Sequence, residues 1–206
     1  MRDRELLNLF VTGTVLRRMI QLVGKKRAKT HLLTRYGEVV HSTLRHVHAT
    51  WGAIAVRRMV DTTRGTRSLM RLLIAIQDRS SEITRVWFVS EWNPDLRDVA
   101  EKTFDRIAGR KNPHLTKQTV LDDQRYLRDR TQKIVNWANA YVAHHGTPPP
   151  TSPTFRDLRL AINAVVRVNN KYAELLLERK AMMPTILEPW ESVFEVPWVA
   201  KRRKRH

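Results

Sequence analysis

Apolar residues return every three or four positions along most of this chain, the period of a helix with one buried face. From about Asp3 to Val23, Leu6, Leu7, Phe10, Val11, Val15, Met19, Leu22 and Val23 share one broad face, and Gly24 ends the run. A second stretch, about His31 to Val60, keeps Leu32, Tyr36, Val39, Val40, Leu44, Val47, Trp51, Ile54, Ala55 and Met59 in one stripe. Gly37 and Gly52 lie within it and read as places of close helix packing rather than breaks. Ser68 is placed to cap a third helix, Leu69 to about Gln77, and Ser80 or Ser81 a fourth that reaches about Trp92. Asn93-Pro94-Asp95 combines a capping side chain, a first-turn proline and acidic charge. It opens a fifth helix that closes at Gly109. The sixth spans about Thr119 to His145, with Asp122 and Asp123 read as its first-turn acidic pair. After Pro148-Pro149-Pro150, Thr154 caps the last long helix, Phe155 to about Lys180, with Leu158, Ala161, Ile162, Val165, Val168, Tyr172, Leu175 and Leu176 facing inward. Residues 184–198 read as an aromatic and proline-rich strap with one short helix around Trp190 to Phe194. No alternating pattern bounded by hairpin turns occurs. The expected fold is therefore all-α: a bundle of about six long helices with a C-terminal strap, one domain over residues 1–200 and a basic tail at 201–206.

A chain of 206 residues buries enough surface to fold without disulfides or metals, and with no cysteine it has no thiol chemistry. That composition fits a reducing, cytoplasmic setting. Asp3, Glu5, Arg17 and Arg18 interrupt the N-terminal apolar run, so no secretory signal is expected there. No run of 18 apolar residues occurs, so no membrane partner is expected. Glycine-rich phosphate loops, GxSxG and HExxH are all absent, and no cofactor or metal is expected.

Charge is the second constraint. The formal net charge is +18, from 38 basic and 20 acidic residues. Residues 1–79 hold 16 basic and 5 acidic side chains, residues 80–150 hold 11 and 9, and residues 151–206 hold 11 and 6. In the last segment the excess equals the tail Lys201 to Arg205. A polyanion footprint, RNA above all, is thus expected on the first 79 residues and the tail.

Several residues are candidates for that footprint. Lys25, Lys26 and Arg27 form a basic connector after the first helix. His41, Arg45 and His48 stand at i, i+4 and i+7 on the second, a spacing that suits a phosphate clamp or simply a polar interhelical face. Arg57 and Arg58 end that helix; Arg57 is placed for an i, i+4 ion pair with Asp61, leaving Arg58 for a ligand. At the end of the sixth helix His144 lies where the helix dipole favours its protonated form, five residues after Asn139. The pair reads as an acid/base and its polar partner, or as a helix cap.

Three segments resemble the abortive-infection U-type branch of the HEPN-like helical proteins. Ala55-Val-Arg-Arg-Met-Val-Asp61 with Ser68-Leu-Met-Arg-Leu-Leu73 is similar to the family's Arg-Arg-x-x-Asp and Ser-Leu-x-x-Leu-Leu segments. Asn139-Ala-Tyr-Val-Ala-His144 is similar to its helix end. Phe155 to Leu177, with Pro189-Trp190 and Phe194 to Trp198, resembles its last helix and strap. The resemblance implies a prokaryotic defence protein of the toxin type, a homodimer, an antitoxin or other partner protein, and metal-independent cleavage of RNA. The family's histidine falls on His144. Its arginine, four to six residues earlier, does not: Trp137, Ala138 and Asn139 hold the three positions. Two expectations therefore stand side by side, a HEPN-like endoribonuclease and a catalytically degenerate module that binds nucleic acid or a partner.

Overall fold

The computed structural model describes residues 36–143 and 152–177, with side-chain surroundings for 42–140 and 152–176. Six α-helices follow one another: α1 (Tyr36–Met59), α2 (Leu69–Asp78), α3 (Arg85–Ser90), α4 (Arg97–Ala108), α5 (Lys117–Trp137) and α6 (Phe155–Leu177). No strand occurs among the described residues; the one β-type pairing is an isolated bridge between Thr84 and His114. The chain is an all-α bundle. The expected helix over Asp3–Val23, the strap and the basic tail lie outside the described residues.

α5 and α6 pack antiparallel as the central pair, α1 lies against both, α2 rests on α5, and α3 and α4 close the far end. Leu69, Leu73, Phe88, Phe104, Leu115, Leu127 and Tyr172 fill the main core. A second cluster, Ala53, Val56, Ile134, Ala138, Leu158, Ala161 and Ile162, joins α1 to the α5–α6 pair. Each fully buried leucine contributes about 2–3 kcal/mol through removal of apolar surface from water. Gly52 allows this second junction to close. A Cβ there would stand 3.1 Å from a Leu158 methyl, a tight contact that the missing side chain avoids.

Local capping signals hold where expected. The Ser68 oxygen accepts the Arg71 N–H at 3.1 Å and its hydroxyl donates to the Asp61 carbonyl, tying the 61–67 turn to α2. Asn93 caps a single 3-10 turn, Pro94–Leu96, which feeds into α4. Gly109, at φ +97°, ends α4, and the Asn112 side-chain amide donates to the freed Ala108 carbonyl at 2.6 Å.

Three expectations need correction. The fourth helix does not start at Ser80 or Ser81. Ser80–Glu82 is a 3-10 turn, and the extended Thr84 caps the short α3. Contacts with a distant loop impose this: Leu115 N–H donates to the Ile83 carbonyl at 3.0 Å and Arg85 N–H to the Pro113 carbonyl at 2.8 Å. Arg85 also binds Glu101 at 2.7 Å and Asp105 at 2.6 Å and covers the Phe104 ring.

The buried stripe of α1 agrees with the expected one at Trp51, Ala55 and Met59, which pack into or against the core, and departs from it elsewhere. His48, Gly52, Ala53, Val56 and Met59 face inward, while Val47 and Ile54 are exposed at 43% and 40%. Finally, Thr116 caps α5, accepting the Thr119 N–H at 3.1 Å. Asp122 and Asp123 thereby fall beyond the first turn, and Asp123 faces α6 rather than the helix dipole.

Candidate nucleic-acid interface

Six charged and two aromatic side chains line the seam between α5 and α6. Near one end Asp123 accepts Lys171 Nζ at 2.6 Å and the Tyr172 hydroxyl at 2.9 Å. Burial, and then the Asp123 carboxylate, push the Tyr172 phenol well above its ordinary pKa, so it stays a donor. At the other end Asp157 accepts Lys133 Nζ at 2.8 Å. The same carboxylate oxygen accepts the Thr154 N–H at 2.7 Å, while the Thr154 oxygen accepts the Asp157 N–H at 3.2 Å, a reciprocal capping box on α6. Between the two ends Arg130 and Arg167 both lie over the Tyr126 ring, at 5.7 and 5.1 Å from its centroid.

These contacts sort the charges of α6. Its two carboxylates both turn into the bundle, Asp157 to Lys133 and Glu174, nearly buried, to Arg106 at 2.7 Å. What remains outside is Phe155, Arg156, Arg159, Leu160, Asn163 and Arg167, with no acidic residue. Arg156, Arg159, Asn163 and Arg167 are spaced i, i+3, i+7 and i+11, one stripe along about 16 Å of helix. Arg156 and Arg159 form no ion pair among the described residues. Guanidinium groups without carboxylate partners on one helix face can bind phosphates bidentately.

The stripe ends in an aromatic cluster that ties it to α1. The His48 ring stacks on Phe155, centroids 5.8 Å apart and planes 11° from parallel, and the Arg45 guanidinium sits over the same ring at 5.1 Å. Residues 42–60 of α1 contain no carboxylate either, so no acidic side chain of this stretch faces the cluster.

The expected site residues thus divide. Arg45 and His48 are together, but His48 is 6% exposed and packed on Phe155, so it supports the ring rather than presenting itself to solvent. Arg57 and Arg58 are both exposed, about 18 Å further along α1 and on a different side from Arg45. No ion pair joins Arg57 to Asp61. The Asp61 carboxylate instead accepts the Thr63 N–H at 2.8 Å, and that bond, reinforced by the Thr63 side chain and the field of Arg57, keeps its pKa below the ordinary range. Asn139 is half-buried in a π-helical turn, Ala138–Ala143, that ends α5. His41 stands in the first turns of α1, its side chain outside the described ones; His144, Lys25, Lys26 and Arg27 lie outside the described residues altogether.

Sequence reasoning missed Arg156, Arg159, Arg167 and Phe155, because the C-terminal third is close to neutral by count once its tail is set aside. A local signal existed: no carboxylate occurs from 158 to 173, while arginines recur at helical spacing. No group of three or more potential metal ligands and no helix apolar enough to cross a membrane occurs among the described residues. Comparison with known protein families, curated proteins and solved structures finds no match to this chain.

Asp157 gives the site a defined acid limit. Lys133, then the Thr154 N–H and hydroxyl, hold its carboxyl at about 2, against an ordinary 3.8. A lowered folded-state pKa adds stability that is complete above pH 4 and is lost as pH falls towards 2. The start of α6 should therefore loosen across that interval, seen as loss of amide protection at 155–159. Asp157→Asn should remove most of this pH dependence; an unchanged profile would rule out the Asp157 contacts as its source.

Proposed function

We propose that this protein binds RNA through the exposed face of α6 and the adjoining Arg45–Phe155 cluster. The observation that carries the reading is the sorting of charge: both α6 carboxylates are consumed by internal ion pairs, and the arginines left outside have none opposing them. The Phe155 ring at the end of the stripe favours nucleic acid over an acidic protein as the polyanion, since bases offer π-faces as well as phosphates. Helix-terminal binding plays no part at Thr154–Asp157, because the capping carboxylate already fills that end of α6.

Binding of a short RNA should weaken steeply with salt. In the triple variant Arg156→Gln, Arg159→Gln, Arg167→Gln, affinity should fall at least about tenfold and the log–log salt slope should flatten by about 2. Helical content should stay unchanged, since none of the three side chains makes an ion pair among the described residues. Less than a twofold loss in affinity would remove α6 as the binding face, and tight capture of an acidic protein in place of RNA would replace the reading.

One observation favours a second, catalytic reading. A π turn closes i→i+5 hydrogen bonds and so brings residues five apart onto one side, and such turns recur at functional sites. Asn139, the proposed polar partner, lies in this turn, which ends at Ala143. With the HEPN-like, abortive-infection resemblance, this supports a dimeric, metal-independent ribonuclease with His144 as acid/base, Asn139 as its polar partner and an arginine of α1 replacing the absent motif arginine. His144→Ala should abolish cleavage of RNA by the purified protein without weakening RNA binding. Cleavage at the unaltered rate would end the catalytic reading and leave the binding module.

A further inference from the structure

We infer that the Arg45–Phe155–His48 cluster is a base-stacking position that makes the α6 face selective for single-stranded over double-stranded RNA. The inference rests on the RNA-binding reading and goes beyond it, since a row of arginines alone would bind either form.

Three observations carry it. Phe155 is a large aromatic side chain left 38% exposed at the start of the arginine stripe, one residue from Arg156 and four from Arg159. Its only described aromatic and cationic contacts come from His48 and Arg45. Second, the ring is held in place from within. His48 is buried, lies on the inward stripe of α1, and stacks nearly parallel to Phe155, so the ring does not have to be ordered when a base arrives. Third, the layer exposed to solvent includes a guanidinium plane. Arg45 carries no carboxylate partner among the described residues, and arginine planes and aromatic rings are the two surfaces on which unpaired bases stack.

Geometry then separates the two forms of RNA. In an A-form duplex the bases are already stacked and paired, so a protein meets phosphates and 2′-hydroxyls but no free base face. A single strand can set its phosphates along Arg156, Arg159 and Arg167 and turn one base onto Phe155 or Arg45. Base–aromatic stacking of this kind tolerates any base, so the position should discriminate strand state and not sequence.

The test measures equilibrium binding of the full-length protein to a 12-nucleotide single-stranded RNA, the same sequence as a blunt duplex, and the single-stranded DNA equivalent. Phe155→Leu keeps apolar bulk at the site and removes the ring; Phe155→Tyr keeps the ring. The expected result is a five- to thirtyfold loss of single-strand affinity in Phe155→Leu, an unchanged duplex affinity, and full retention in Phe155→Tyr. Single-stranded DNA should follow the RNA if stacking, not the 2′-hydroxyl, sets the preference. Equal loss for both strand states, or no loss for either while the arginine variant still binds weakly, would overturn the stacking position and leave RNA binding in place. No RNA binding by the unaltered protein would overturn the underlying reading as well. Arg45→Gln provides the independent check: removal of the guanidinium should lower single-strand affinity more than duplex affinity, whereas a purely electrostatic role would lower the two alike.

Discussion

Two aspartates on opposite helices, each bound to a lysine of the other, hold the centre of this bundle together. Asp123 of α5 takes Lys171 and Tyr172 of α6, and Asp157 of α6 takes Lys133 of α5. The pairs are reciprocal and lie near opposite ends of the seam, so they set the register of the antiparallel helices. A slip of one turn would break both and strand the buried Tyr172 hydroxyl. Leaving such a buried donor unmatched costs about 1–3 kcal/mol, more than an exposed ion pair contributes. α1 then packs across the finished pair through Gly52 and Leu158, and α2 and α4 dock on its flanks. The same bonds determine what is left outside: carboxylates used to join helices cannot shield the arginines beside them.

That consequence changes how the charge of this protein should be read. A net count over residues 151–206 places its excess in the tail, yet α6 carries one of the plainest basic faces among the described residues. The difference lies in where Asp157 and Glu174 point. By contrast α5 exposes Asp122 and Asp129 among its arginines, and α4 mixes Asp98 with Lys102, so neither presents a surface of one sign. Arg85 shows the opposite outcome for a cation, with its charge matched by Glu101 and Asp105 and its plane laid on Phe104. Strong positive charge by itself implies only steering and non-specific attraction. Its segregation, with the Phe155 ring at the end of the stripe, is what points to a strand of nucleic acid.

Features decided within a few residues were legible in the sequence. Ser68, Asn93 and Thr154 cap where their side chains reach the next turn, and Gly109 ends α4 because its backbone adopts positive φ. The inward face of α6 was legible too, since most of its apolar residues, Phe155 and Leu160 aside, lie on one side. α1 was harder. It carries apolar residues around much of its circumference, so period alone could not choose between Val47 and Ile54 on one side and Ala53 and Val56 on another. Packing against Leu158 chose, and carried His48 into the interior with it. The start of α3 depends on hydrogen bonds to residues 113–115, some thirty positions away, which no local signal reports. Site residues followed the same division: Arg45 and His48 share a helix face and could be grouped from spacing, but their meeting with Phe155 is a tertiary contact.

The central proposal is that internal ion pairing, not the total charge, determines where this protein would hold RNA. Photocrosslinking a uridine-rich single-stranded RNA to the full-length protein and mapping the attached peptides by mass spectrometry tests it most directly. The account predicts adducts concentrated on the peptides containing Phe155 to Arg167 and Arg45. Adducts confined to the tail 201–206 and to basic residues of 1–79 other than Arg45, where the raw count of basic residues would place them, would contradict it.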